Sequence, residues 1–128
     1  MTGIGPVELS LPPESRTVRI ARLVAGAIAD EAGFDFDGVE DLRIGVGEMC
    51  FAVLEAGEPS GRLEVRLVQL ADRIEVSGHL DLAPDSARPP EETSLMTTLL
   101  GAVVDGHSVE VSDGAASFTL HKLRPPET

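Results

Sequence analysis

Residues 41–50 read DLRIGVGEMC, and their apolar members recur at the three- and four-residue spacing of an α-helix. The stripe extends beyond this stretch in both directions and consists of Val39, Leu42, Val46, Met49 and Val53, with Cys50 and Leu54 beside it. A stripe of this kind buries one face of a helix against another layer of structure. The sequence therefore predicts a helix that lies on a sheet and begins at Asp37, with the Glu40 carboxylate completing its cap.

The residues before this helix predict a strand and another helix. Apolar and polar residues alternate over positions 7–11, as in a half-buried strand, and Pro12-Pro13 end the alternation. Over positions 15–32 the apolar residues return to helical spacing, and Gly33 provides a natural C-terminal stop.

The residues after the helix predict two hairpins around a third helix. In order, these elements are strands over 63–70 and 73–78 that turn near Ala71-Asp72, a mobile loop over 82–92, a helix capped by Thr93 or Ser94, and strands over 108–112 and 115–122 that turn at Asp113-Gly114. This order predicts an α/β fold of the α+β type, a two-layer sandwich with helices on one face of a mixed, mostly antiparallel sheet. We expect a single domain over residues 1–128 with a frayed tail at 124–128.

The chain is acidic, with a formal net charge of −12 over 128 residues and a pI near 4.5. This charge repels phosphate backbones and anionic lipid head groups, so we expect neither nucleic acid nor a membrane surface as a partner. A basic protein would be attracted to the chain, although acidity that serves only solubility explains the composition as well.

The histidines and the cysteine suggest neither a metal site nor a disulfide. The single cysteine, Cys50, lies in the apolar stripe and has no partner for an internal disulfide. His79, His107 and His121 show no metal-ligand spacing with Cys50 or with one another. The N-terminal residues do not form a signal peptide, and no apolar run is long enough to span a bilayer. We therefore expect a cytoplasmic protein.

Three stretches carry a resemblance to a known family: VELSL at residues 7–11, ARLV at 21–24 and DLRIGVGEMC at 41–50. Together with the order of elements, they resemble the RsbW/SpoIIAB anti-sigma factors, serine-protein kinases of the GHKL ATPase superfamily, and especially their mycobacterial members. The resemblance covers about residues 7–56 and continues as topology. It implies a GHKL (Bergerat-type) fold, sequestration of an alternative sigma factor in a stress response, release by an anti-anti-sigma protein, and a homodimer.

The predicted second helix retains part of the family's catalytic pattern. In this family it carries a Glu that acts as general base for protein phosphorylation and, one turn later, an Asn that holds Mg²⁺ against the ATP phosphates. The Glu is retained as Glu48, but the Asn position is occupied by Ala52, which has no oxygen for a metal. Glu48 could equally be a solvated residue opposite the core stripe.

The other nucleotide-binding positions of the family are also altered. Its Asp-x-Gly pattern falls on Gly78-His79-Leu80, and Asp81 could supply the missing carboxylate only in a different register. Losing such a hydrogen bond to adenine costs about 1.5–3 kcal/mol. The family's Thr in the last strand falls on Ala116, or on Ser117 after a shift of one, and the segment 88–96 has no Gly where the family has a Gly-rich phosphate lid. Together these changes predict that ATP binding is lost or weak.

The predicted first helix carries the candidate partner-binding residues. The resemblance places a sigma-contacting arginine at Arg22, and Arg19 and Arg16 could share this role. For each of them, a solvated cation on an amphipathic helix is the alternative interpretation.

Three functions agree with these features. The leading hypothesis is a non-catalytic regulator of transcription that binds a sigma factor by protein contacts alone, with no cofactor. The first alternative is an active serine-protein kinase that phosphorylates an anti-anti-sigma protein, uses Glu48 and requires ATP and Mg²⁺. The second is a GHKL-scaffold interaction module in another signalling pathway.

Overall fold

The computed structural model describes residues 3–88 and 94–125, which form three α-helices and one sheet. In chain order the elements are β1 (Val7–Leu11), a 3-10 turn (Ser15–Thr17), α1 (Val18–Glu31), α2 (Phe36–Leu54), β2 (Leu63–Gln69), β3 (Arg73–Asp81), α3 (Ser94–Val103), β4 (Gly106–Ser112) and β5 (Ala115–Leu123). The strands are ordered β1-β2-β3-β5-β4, with the helices packed on one face. None of the described helices is long and apolar enough to cross a membrane. The predicted α+β sandwich is confirmed, and every strand pair in the described residues is antiparallel.

The core lies between the helices and the inner face of the sheet. Leu67, Val76 and Leu120 are aligned across β2, β3 and β5, and each is at most 3% exposed. α2 packs on β3 and β5 and contributes the predicted stripe to this core. The buried members of the stripe are Leu42, Val46, Met49, Cys50 and Val53.

Several element boundaries differ from those predicted: α1 begins at Val18, after the 3-10 turn, and β4 begins at Gly106 rather than at residue 108. The cap of α2 is Asp35 rather than Asp37, because the backbone of Asp35 is extended and its carboxylate accepts a hydrogen bond from Gly38 N at 2.8 Å. Asp37 already belongs to the first helical turn. β3 continues to Asp81, beyond the predicted end at residue 78, because β5 remains paired with it as far as Ala115.

The predicted turns are confirmed. Gly33 follows α1 with a φ of +88°, and Gly114 joins β4 to β5 with the same φ, a conformation that favours glycine. Between β2 and β3, Leu70 N donates to Arg73 O at 2.8 Å. Three predicted features lie outside the described residues: the Thr93 cap, loop residues 89–92 and tail residues 126–128.

α1 and α2 run antiparallel and approach each other through two reciprocal contacts. A Cβ atom on Gly47 of α2 would lie 3.0 Å from Cδ of Arg22 on α1, and one on Gly26 of α1 would lie 2.9 Å from Cδ of Arg43 on α2. Each arginine therefore lies across a glycine of the other helix. Both Nε atoms are buried and have no hydrogen-bond partner among the described residues, so the aliphatic stems supply packing.

In the part of the chain that the structure describes, the outer face of the sheet carries no helix and is polar. A row of paired residues crosses all the strands and consists of Glu8, Arg66, Ser77, Thr119 and Ser108. Depressions of about 410 and 350 Å³ lie along this row. An antiparallel sheet with one face in water alternates apolar and polar residues, as these strands do.

Candidate functional site

The outward face of α1 exposes apolar side chains. Ile20 is 43% exposed and Leu23 is 57% exposed, and Ala27 is exposed one turn further along the helix. Arg16 and Arg19 are exposed at the N-terminal end of the same face. Exposed apolar residues with a polar rim mark protein-interaction sites. We refer to these residues as the α1 stripe.

The charge of the α1 stripe is opposite to that of the whole chain. The segment 16–22 holds three of the chain's ten Lys and Arg residues, although the formal net charge is −12. α1 has no acidic residue in its first turn, where the helix dipole favours carboxylates and disfavours cations. The only cation there with an ion pair among the described residues is Arg16, which lies 2.6 Å from Glu14 in an exposed pair. Helix stability therefore does not explain this arrangement.

Arg22 is placed differently from the other two candidate arginines. It is half-buried, and its stem lies against Gly47 of α2. Its Nε atom is buried between the two helices. Of the predicted partner-binding residues, Arg16 and Arg19 thus belong to the α1 stripe, and Arg22 borders the stripe on the side of α2.

Three of the predicted nucleotide-site positions come together on the inner face of the sheet. Leu80 on β3 is paired with Ala116 on β5, and Gly78 is paired with Phe118 beside them. Leu80, Ala116 and Phe118 are at most 1% exposed. The ring of Phe118 lies so close over Gly78 that a Cβ atom there would collide with its Cε2 atom. A side chain of the protein therefore fills the space beside Gly78.

The residues that a different register would have supplied lie on the outer face of the sheet. Asp81 is exposed, and its Oδ1 atom lies 2.8 Å from Nε2 of His79. Ser117 is paired with His79 and alternates with the buried Ala116 and Phe118. Because neighbouring residues of a strand point to opposite faces, neither Asp81 nor Ser117 reaches the inner face.

The assembled positions do not fit a magnesium nucleotide. Glu48 and Ala52 lie one turn apart on α2 and are both half-buried. Mg²⁺ requires oxygen ligands, which Ala52 lacks, and Leu80 and Ala116 offer no polar side-chain atom to a base. In the part of the chain that the structure describes, no group of three or more His, Cys, Asp or Glu residues could hold a metal ion.

The loop that follows β3 is fastened to the C-terminal end of α2. Ala83 N donates to Glu58 O at 2.7 Å, and Arg88 N donates to Ala56 O at 2.7 Å. The guanidinium group of Arg88 also donates to Glu55 O at 3.0 Å. Arg88 therefore satisfies two carbonyl groups at a helix end, where intrahelical donors are absent. The sequence did not indicate this contact.

Two further parts of the site were missed by sequence reasoning. Ile20 and Leu23 were not assigned a role, although both lie off the line of Val18, Ala21 and Ala25 that α1 buries. Phe118 was also missed. Its position two residues after Ala116 places both on the same face of β5, and this alternation was available from the sequence.

The chain is similar in sequence to serine-protein kinases named RsbW. It is 33% identical over 78 residues to RsbW of Bacillus velezensis, and this alignment covers 59% of this chain and 49% of that protein. It is 30% identical over 73 residues to RsbW of Bacillus subtilis, covering 55% and 46% of the two chains. The chain therefore spans about half the length of the curated relatives it matches. No protein-family model matches it.

A solved structure shows the same fold. The crystal structure of the RsbU and RsbW domains of Rv1364c from Mycobacterium tuberculosis matches with a TM-score of 0.74 and 16% sequence identity, over 96% of this chain and 34% of that chain. The sequence matches and the structural match both involve RsbW, as the resemblance implied. In sequence the chain is therefore similar to RsbW serine-protein kinases, and it shares the fold of the solved structure that contains an RsbW domain.

Proposed function

We propose that this domain binds and sequesters an alternative sigma factor through the α1 stripe, without catalysis. The observation that carries the proposal is the exposure of Ile20 and Leu23 beside arginines on an otherwise acidic chain. Such a surface combines an apolar anchor with charged groups that orient a partner. The family resemblance supplies the kind of partner, together with release by an anti-anti-sigma protein and a homodimeric state.

The proposal includes the loss of nucleotide binding. Ala52 has no oxygen for Mg²⁺, and Leu80 and Ala116 form an apolar pair. Phe118 covers Gly78 in the same region. These replacements support a domain that holds its partner by protein contacts alone, independently of ATP and ADP.

The binding surface is tested by calorimetric titration with purified alternative sigma factors of the host. Leu23→Glu should weaken binding about 10- to 100-fold, since burying a leucine side chain contributes about 1.5–3 kcal/mol. Leu123→Glu is the matched control, because Leu123 is 46% exposed at the end of β5, outside the α1 stripe. Its affinity should remain that of the unaltered protein. If no sigma factor binds, or if both variants bind equally well, the proposal is wrong.

The kinase alternative is favoured by one observation, the retention of Glu48 on α2. A working kinase would bind ATP·Mg²⁺, and Glu48→Ala would abolish phosphate transfer to an anti-anti-sigma protein. We expect calorimetry to detect no binding of ATP or ADP up to millimolar concentrations. Measurable affinity for ATP·Mg²⁺ would instead favour the kinase.

A further inference from the structure

We propose that two copies of this domain pair through their β4 strands, antiparallel across a two-fold axis, so that the two sheets become one. Among residues 3–88 and 94–125, β4 lies at the edge of the sheet and is paired only with β5. No hydrogen bond among the described residues covers its other side. An unprotected edge strand is a template for another strand. This inference specifies the interface of the proposed homodimer, and it does not depend on sigma-factor binding.

The opposite edge of the sheet is protected. β1 is bounded by Pro6 and Pro12, and neither proline can donate to a neighbouring strand. β4 reads GHSVEVS and is flanked by Asp105 and Asp113, so no proline bounds it. Of the two sheet edges among the described residues, β4 is therefore the more open to pairing.

In one antiparallel register, two copies of β4 can pair without placing like charges opposite each other. Val109 lies at the middle of the strand, and an axis through it places Ser108 opposite the partner's Glu110. Glu110 then does not face its own copy, and like charges opposite each other would destabilise the pair. The half-buried Val109 and Val111 stay on the helix-bearing face of both sheets, because this register keeps side chains of the same face together.

The helix next to this edge is uncharged, which favours a second copy as the occupant. α3 reads SLMTTLLGAV, and its Met96, Thr97 and Leu100 line a small cavity with Val109 of β4. Its exposed residues are Leu95, Thr97, Thr98, Gly101 and Ala102, and Leu95 is 77% exposed. Two chains with a net charge of −12 repel each other where charged surfaces meet. Beside this edge α3 presents neutral side chains, and the proposed register keeps the two Glu110 carboxylates from facing each other.

The test is sedimentation equilibrium of the full chain, from micromolar to millimolar concentration, on a charge-matched pair of variants. Ser108→Glu places like charges opposite each other in the proposed register, and Ser108→Lys places opposite charges there. Both variants lose the contact between Ser108 Oγ and Thr119 Oγ1 at 2.9 Å, so the comparison isolates the charge. We expect the dimer dissociation constant of Ser108→Glu to exceed that of Ser108→Lys at least tenfold. Ala71→Glu and Ala71→Lys, in the exposed β2–β3 turn, control for net charge.

Hydrogen exchange supplies a second readout. The β4 amides should become more protected as the protein concentration rises, and the β1 amides should not. Three results would overturn the proposal: a folded protein that remains monomeric at millimolar concentration, a dimer equally sensitive to the changes at positions 108 and 71, or β4 protection that appears only with another protein. The titration of sigma factors with Leu23→Glu is independent of these measurements, so failure of one proposal is distinguishable from failure of the other.

Discussion

The contact between Gly78 and Phe118 decides what the inner face of the sheet can hold. Because glycine lacks a Cβ atom, the ring lies directly on the backbone of β3. The chain has four phenylalanines and no tryptophan or tyrosine, and Phe118 is the largest of its fully buried side chains. An aromatic side chain buries about 150–250 Å². Phe118 is therefore a main aromatic contribution to the core, together with the buried Phe34.

Gly78→Ala should lower the free energy of unfolding by about 1–3 kcal/mol, because the added methyl group would force the ring of Phe118 out of position. Urea denaturation measures the change. Gly101→Ala in α3 is the matched control, since nothing lies within 4 Å of the added atom. It should raise the free energy of unfolding by about 0.5–1 kcal/mol through helix propensity. Equal stability of Gly78→Ala and the unaltered protein would contradict the observed ring position.

At the scale of elements, α1 and α2 are held together by arginine stems lying on glycines. A glycine inside a helix lowers helix stability by about 1 kcal/mol relative to alanine. Gly47 and Gly26 both lie within helices, and each makes room for an arginine of the opposite helix. The close approach of the helices accounts for these two glycines.

Gly47→Ala should therefore be more favourable when Arg22 is absent. In an Arg22→Ala background, we expect Gly47→Ala to raise the free energy of unfolding by about 0.5–1 kcal/mol. In the unaltered background the gain should be smaller or absent, because the methyl group must displace the Arg22 stem. A double-mutant cycle in urea gives the coupling between the two positions. Simple additivity would mean that the stem does not rest on Gly47.

The helices, strands and turns were largely predictable because their signals are local. The stripe around Leu42 and the turn at Gly114 depend on spacing and on glycine, which are visible in the sequence. The cap of α2 was not predictable from residue type, since Asp35 and Asp37 are both good caps and the backbone conformation selects between them. The end of β3 at Asp81 depends on pairing with β5, which is a long-range contact.

The candidate site was predictable in its residue types and not in its contacts. The apolar character of Ala52 and Leu80 follows from the sequence alone. The placement of Phe118 over Gly78 requires β3 and β5 to be neighbours, although β4 precedes β5 in the chain. The burial of Arg22 requires the packing of α1 on α2. Such facts arise from tertiary structure and leave no local pattern.

For the molecule as a whole, alkaline stability should depend on Cys50. Burial raises the pKa of its thiol from 9.0 to about 12, and the chain has no tyrosine and only one lysine to titrate in this range. Between these values the unfolded chain loses the thiol proton and the folded chain keeps it. The contribution of this thiol to the free energy of unfolding is therefore fully present below pH 9. It falls by about 1.4 kcal/mol per pH unit as the pH rises toward 12.

This dependence is measured by urea denaturation at a series of alkaline pH values. Cys50→Ala should be less stable at neutral pH, because a small cavity replaces the sulfur, and its stability should stay nearly constant from pH 9 to 11. An equally steep decline in Cys50→Ala would assign the effect to other groups. The same burial should keep Cys50 unreactive toward thiol reagents until the protein unfolds.

The contact of Phe118 with Gly78 also has a consequence for how such a regulator would be controlled in a cell. The space beside Gly78 is filled by a side chain of the protein itself. Under the proposed function, the cellular levels of ATP and ADP would then have no direct influence on the affinity of the domain for its partner. The amount of bound partner would instead depend on how much of the domain is synthesised, how quickly it is degraded, and how many competing proteins are present.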